Sequence, residues 1–223
     1  MASAEAVTED RLPTKRWNSN EFLPPDMCEL RVVLLGNSWS ERSSVGNFLL
    51  EDTKFNTMKT TECCVRVTGQ LRDKEIVLIN TPDLVHPNIS EDKLKEHVEN
   101  CVSLSAPGPH VFLLVLQPEE FTEEQKLRLC RVLQLFSDRS FDHSVILISN
   151  PKEEGPDVME RFENHPPITD MIRLLGDRYS WKMKLDHSEL LMHLCQILKA
   201  NNGEHVRCDG FETEECALTK TSE

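Results

Sequence analysis

One tyrosine occurs in the 223 residues, and aromatic residues amount to 6%. So few rings argue against a surface that stacks the bases of single-stranded nucleic acid, which needs aromatic platforms. Positive charge is also short: 25 Lys and Arg face 38 Asp and Glu, for a net charge of −13. Phosphate backbones are held by Lys and Arg, and anionic lipid surfaces attract basic segments. Neither nucleic acid nor a charged membrane is therefore an expected partner. No C-x-x-C spacing exists among the eight cysteines, at 28, 63, 64, 101, 130, 195, 208 and 216, which removes zinc-ribbon chemistry. No apolar run reaches the ~18 residues of a transmembrane helix, and residues 1–5 lack the basic and apolar segments of a secretory signal. The expectation is a reduced, cytoplasmic protein without an intrinsic membrane anchor.

What is present is an alternation of strands and helices. Residues 1–28 are polar with Pro13, Pro24 and Pro25 and read as a flexible leader. From Glu29 the pattern becomes regular. Apolar or β-branched runs at 30–35, 63–71, 75–80, 111–116 and 144–149 read as strands, the second and third joined as an antiparallel hairpin. Helical spacing follows at about 43–51, from Ser90, from Thr122 to Phe136, at 168–175 and at 187–200. Ser90 and Thr122 stand as caps before acidic first turns. Residues 179–184 suit a short edge strand. Residues 206–223 are acidic and aperiodic, a loose tail, leaving 29–205 as the folded domain. Unbroken apolar strands alternating with helices predict an α/β three-layer sandwich, its sheet mostly parallel with one antiparallel edge strand. Ligands in such sheets sit beyond the strands' carboxyl ends, here the loops after residues 35, 80, 116 and 149.

The first of these loops is Gly36-Asn37-Ser38-Trp39-Ser40-Glu41-Arg42-Ser43-Ser44. Strand, nine-residue loop and helix is the setting of G-x-x-x-x-G-K-[ST], in which backbone N–H groups and a Lys hold phosphates. Gly36 is in place and Ser43 stands at the hydroxyl position, but Glu41 replaces the second Gly and Arg42 the Lys.

Three blocks carry a family resemblance. The first is Arg31-Val32-Val33-Leu34-Leu35-Gly36 through Ser43, Gly46 and Asn47. The second is Ile79-Asn80-Thr81-Pro82-Asp83-Leu84. The third is Leu104 to Val115, with Phe121-Thr122-Glu123-Glu124. Over roughly 29–205 the chain resembles the GTPase of immunity-associated proteins (GIMAP) family, also known as immune-associated nucleotide-binding proteins. This is a septin-related branch of the P-loop GTPases with an avirulence-induced-gene-type G domain. The resemblance implies a P-loop GTPase fold, and GTP or GDP with Mg²⁺ as cofactors. It also implies nucleotide-linked assembly as homo- or hetro-oligomers with related G domains in immune-type cells.

Mapped through the resemblance, residues 36–44, Thr61 (or its neighbour Thr60), Asp83 and Glu153 are the nucleotide contacts, and Ser43 and Asn80 are the metal ligands. The substitutions weaken each box. A like charge at ~4 Å with an effective ε of ~20 costs roughly 4 kcal/mol, so Glu41 is expected to occupy part of the phosphate position, paired with Arg42 or the loop amides. Asn80 offers a neutral oxygen to a cation that prefers carboxylates. Asp83 replaces the Gly whose N–H would meet a γ-phosphate, and Pro151 disturbs the run that ends in Glu153. No Gln or His stands where a hydrolytic water needs orienting. GTP binding is thus expected to be weak or absent and hydrolysis lost. A nucleotide-free pseudo-GTPase acting as a protein-interaction module is the alternative.

Overall fold

The computed structural model describes residues 23–24, 27–71, 74–152 and 164–208. Its sheet has six strands in the order β2-β3-β1-β4-β5-β6. They are β1 (Glu29–Gly36), β2 (Val65–Leu71), β3 (Lys74–Asn80), β4 (Val111–Leu116), β5 (Ser144–Ile148) and β6 (Tyr179–Trp181). Among the described residues five α-helices accompany them: α1 (Trp39–Leu50), α2 (Glu91–Leu104), α3 (Glu123–Phe136), α4 (Pro166–Leu174) and α5 (His187–Ala200). The β2–β3 pair is antiparallel, with Val65 opposite Asn80, and the other pairings are parallel. The expected α/β three-layer architecture is therefore the observed one.

Alternation along each strand divides the core in two. Val33, Leu35, Val77, Ile79, Phe112, Leu114 and Ile146 face one side, where α2, α3 and α4 supply Leu94, Val98, Leu129, Leu133, Ile168 and Met171. Val32, Leu34, Ile76, Leu78, Leu113 and Leu147 face the other, against Val45 and Leu49 of α1 and Leu190, Leu194 and Leu198 of α5. Burial of such side chains contributes about 1.5–3 kcal/mol each. The packed body is wider than 29–205. Leu23 and Met27 enter the second core, and Val206 and Cys208 enter the first. The remainder of the expected leader, with Trp17 and Phe22, and tail residues 209–223 lie outside the described residues.

Helix starts follow their caps. Ser90 Oγ accepts from Lys93 N, while Thr122 and Asp186 each build a reciprocal capping box. The end of α5 is closed by Gly203 at φ 74°. One start differs from expectation: α1 opens at Trp39 rather than near Ser43. Ser38 caps it by accepting from Glu41 N, and Glu41 places an acid in the first turn. With Glu41 where the motif has Gly, nothing interrupts helical geometry. The expected nine-residue loop shrinks to Asn37 and Ser38.

Candidate functional site

The carboxyl ends of β1, β3, β4 and β5 point to one edge of the sheet. There the chain leaves β1 for β3 on one side and β4 on the other, the switch point at which α/β sheets bind ligands. The turn after β1 requires glycine: Gly36 has φ 144°, and an added Cβ would lie 1.8 Å from the Val115 carbonyl oxygen. Asn37 then locks this turn to the end of β4. Its Nδ2 donates to Gln117 O at 3.0 Å, and its Oδ1 accepts from Gln117 N at 2.8 Å.

Arg42 occupies the centre of this edge and is wholly buried. Its guanidinium faces inward. Nε donates to Asn80 Oδ1 at 3.2 Å, Nη1 to Gly36 O, and Nη2 to Thr81 O at 2.9 Å and Pro82 O at 3.2 Å. A guanidinium has five N–H donors, and four of these are already engaged by the ends of β1 and β3. Burial lowers its pKa from 12.5 to about 10, against the opposing influence of Asp83 and then Cys64. It therefore remains a cation at neutral pH. The Trp39 ring lies 6.0 Å from Arg42 Cζ, the outer limit for a cation–π contact.

Ser43 and Asn80 are both fully buried and bond to each other, Asn80 Nδ2 donating to Ser43 Oγ at 3.0 Å. This pair does not fit Mg²⁺. Both oxygens are neutral, where a hard cation favours carboxylates. Asn80 Oδ1, the one strong acceptor, already faces the Arg42 charge.

Glu41 does not take the phosphate position or pair with Arg42, as the sequence led us to expect. Its carboxylate reaches Lys182, just after β6, at 3.2 Å, and the same Lys182 Nζ donates to Ser44 Oγ at 3.2 Å. The reason is directional. Successive helical positions point about 100° apart, so Arg42 faces the sheet while Glu41 faces the chain beyond β6. Ser40 is exposed and Trp39 is buried, its Nε1 donating to Asn56 O at 2.8 Å. Two amides of the first turn are answered internally: Glu41 N meets Ser38 Oγ, and Arg42 N meets Ser38 O.

The remaining expected contacts are scattered. Asp83 is exposed and lies within the field of Arg42. Thr61 closes a local turn, Oγ1 donating to Cys63 O at 2.7 Å. Glu153 lies outside the described residues. Trp181 is buried at the end of β6, opposite Ile148. Lys182 and Gln117 were missed by sequence reasoning. The one available signal was the joint replacement of the motif's Lys by Arg42 and of the expected acid by Asn80, which together suit a buried guanidinium bonded to neutral acceptors.

This strand order, with its glycine-bearing turn leading from β1 into α1, defines a P-loop GTPase-type α/β domain. Toc33 from Arabidopsis thaliana, solved in complex with GDP and Mg²⁺, superposes with a TM-score of 0.65 at 15% identity, covering 82% of this chain and 89% of that one. Another Toc33 structure, of a dimerization-deficient mutant, gives 0.62 at 16%, covering 81% and 87%. The sequence profile of the AIG1 family matches residues 30–222, and the chain belongs to the AIG1 family. Human GTPase IMAP family member 8 is 27% identical over 214 residues, 88% of this chain and 32% of its own length. Immune-associated nucleotide-binding protein 5 of Arabidopsis thaliana is 30% identical over 131 residues, 58% and 42% respectively. The chain thus spans less than half of these curated relatives.

Proposed function

We propose that this AIG1-type G domain is a nucleotide-free pseudo-GTPase that serves as a protein-interaction module. The observation that carries this reading is the inward Arg42, which gives its donors to Gly36, Asn80, Thr81 and Pro82. A P-loop cation acts by presenting its charge to phosphate. Turning Arg42 outward would take the guanidinium donors from Asn80 Oδ1 and from the Gly36 and Thr81 carbonyls, a cost of about 1–3 kcal/mol for each group left unpaired, while Pro82 O would keep the Leu84 amide. The Ser43–Asn80 bond supports the same conclusion for Mg²⁺, and the Ser38 cap, which takes up the Glu41 and Arg42 amides, supports it for phosphate oxygens. Hydrolysis needs a cation and a held γ-phosphate, and Arg42, Ser43 and Asn80 are already bonded within the protein.

The module's partners are related G domains, in homo- or hetero-oligomers. The dimerization that the Toc33 structures address supports this. An immune-type, cytoplasmic setting belongs to the same proposal. No helix among the described residues is long and apolar enough to cross a membrane.

Isothermal titration with Mg²⁺-GTP and Mg²⁺-GDP tests the reading. The expected result is no saturable heat up to about 1 mM, a binding free energy weaker than about −4 kcal/mol. Micromolar affinity for either nucleotide would reject it.

A further inference from the structure

A groove of about 710 Å³ runs along α2 where the segment entering β2 crosses it. Glu62, Glu96 and Glu99 line it with Lys93 as the opposing cation, and His97 also lines it. Positions 93, 96, 97, 100 and 103 of α2 form one stripe at helical spacing, while Leu94, Val98, Cys101 and Val102 carry the core-facing stripe.

His97 is 8% exposed. Its carbonyl accepts from Cys64 Sγ at 3.7 Å, yet its ring makes no hydrogen bond to any described residue. Burial, then Lys93, hold its pKa below the usual histidine value, so the imidazole is neutral at physiological pH. A buried imidazole normally has a partner. Here the ring is left facing a cavity whose border is acidic.

We propose that this groove binds a basic peptide segment of a protein partner, an Arg or Lys side chain entering between Glu96, Glu99 and Glu62 with its backbone bonded to His97. The sign of the border selects the occupant. Phosphate and nucleic acid are repelled by this border. A metal ion lacks ligands, since no group of three His, Cys, Asp or Glu among the described residues can hold one. A guanidinium suits best, because its planar fork meets carboxylates in bidentate fashion. The proposal rests on the interaction-module reading for its purpose, though its geometry is independent of whether nucleotide binds.

The test uses the full chain and a fluorescein-labelled decapeptide alternating arginine and glycine, read by fluorescence anisotropy at ~0.15 M salt, where long-range attraction is screened. Saturable binding is expected. The Glu96→Gln/Glu99→Gln variant should weaken it at least tenfold. The Glu51→Gln/Asp138→Asn control removes the same charge outside the groove and should change it less than twofold. Equal losses in the two variants, or no saturable binding by the unmodified chain, would overturn the proposal. Repeating the titration with Mg²⁺-GTP separates the two readings: if nucleotide binds and the peptide still discriminates the variants, the pseudo-GTPase reading falls and the groove stands.

Discussion

At Arg42, a single side chain does what the lysine of a phosphate loop cannot. An ammonium carries three donors on one atom, whereas the guanidinium spreads five over a rigid plane. That plane spans the carbonyls of two neighbouring strands. Arg42→Met should therefore destabilise the fold by about 1–3 kcal/mol for each buried acceptor it leaves unpaired, measured as a shift in urea midpoint. Glu41→Gly tests the division of labour in the same turn. Because Glu41 pairs with Lys182 rather than occupying the site, the substitution should leave Mg²⁺-GTP binding undetectable. Its stability cost should be about 1–2 kcal/mol, the sum of a helical glycine and a partly exposed ion pair. A gain in nucleotide affinity from Glu41→Gly alone would restore the carboxylate as the plug. Thiol reactivity follows burial in the same way. Cys28 and Cys63 are exposed, while burial raises the pKa of Cys101 well above that of a free thiol. Maleimide labelling of the native chain should modify the first two and spare Cys101.

On the scale of elements, α1 is the decisive segment. Its early start depends on the Ser38 cap, so Ser38→Ala should cost about 1 kcal/mol. Thr122→Ala, at the capping box of α3, should cost a similar amount, and the two should add because they serve separate helices. Gly46 in α1 shows how packing overrides propensity. Alanine there would gain about 1 kcal/mol of helix preference. Its Cβ, however, would stand 2.7 Å from the buried Phe55 ring and 3.1 Å from Leu34 Cδ1. Overpacking of this kind typically costs 1–3 kcal/mol. Gly46→Ala should lower the thermal midpoint, and a rise would show that Phe55 yields freely.

Across the whole molecule, charge is arranged differently at the two ends of the sheet. One end holds the buried Arg42. The other holds Arg31 with three histidines: His110 accepts from Arg31 N at 3.0 Å, its ring is 6.0 Å from that of His205, and His143 Nδ1 lies 2.9 Å from His110 O. Burial, aided by Arg31, lowers the His110 pKa from 6.5 to about 3. Burial also lowers those of His143 and His205. All three are thus held neutral in the folded state, while the unfolded chain protonates them near pH 6.5. Below that pH the unfolded state binds more protons, so stability is full above 6.5 and falls as the pH drops towards 3. His110 alone contributes roughly 2 kcal/mol of loss by pH 5, and His143 and His205 act in the same direction. Thermal midpoints at pH 7, 6 and 5 should fall monotonically, with a shallower slope in His110→Gln.

The strand order's raw material was legible in the sequence because strand and helix periodicity are local. Val111–Leu116 reads as a strand buried on both faces, and Ser90 and Thr122 mark helix starts, from a few neighbouring residues each. The substitutions in the boxes were equally legible, since Glu41, Arg42, Asn80 and Asp83 are visible as residue types. Where those side chains point was not. The Lys182–Glu41 contact joins residues 141 apart in the chain, and Asn37 and Gln117 meet across 80. Such partners are chosen by the stacking of strands into one sheet, which no local pattern encodes. Periodicity determined the layered fold, and the resemblance carried by three sequence blocks pointed to its family. Only the closing of β1 against β3 decided that the cation of the loop would serve the protein's own carbonyls, because a buried guanidinium takes whichever acceptors the assembled backbone brings within reach.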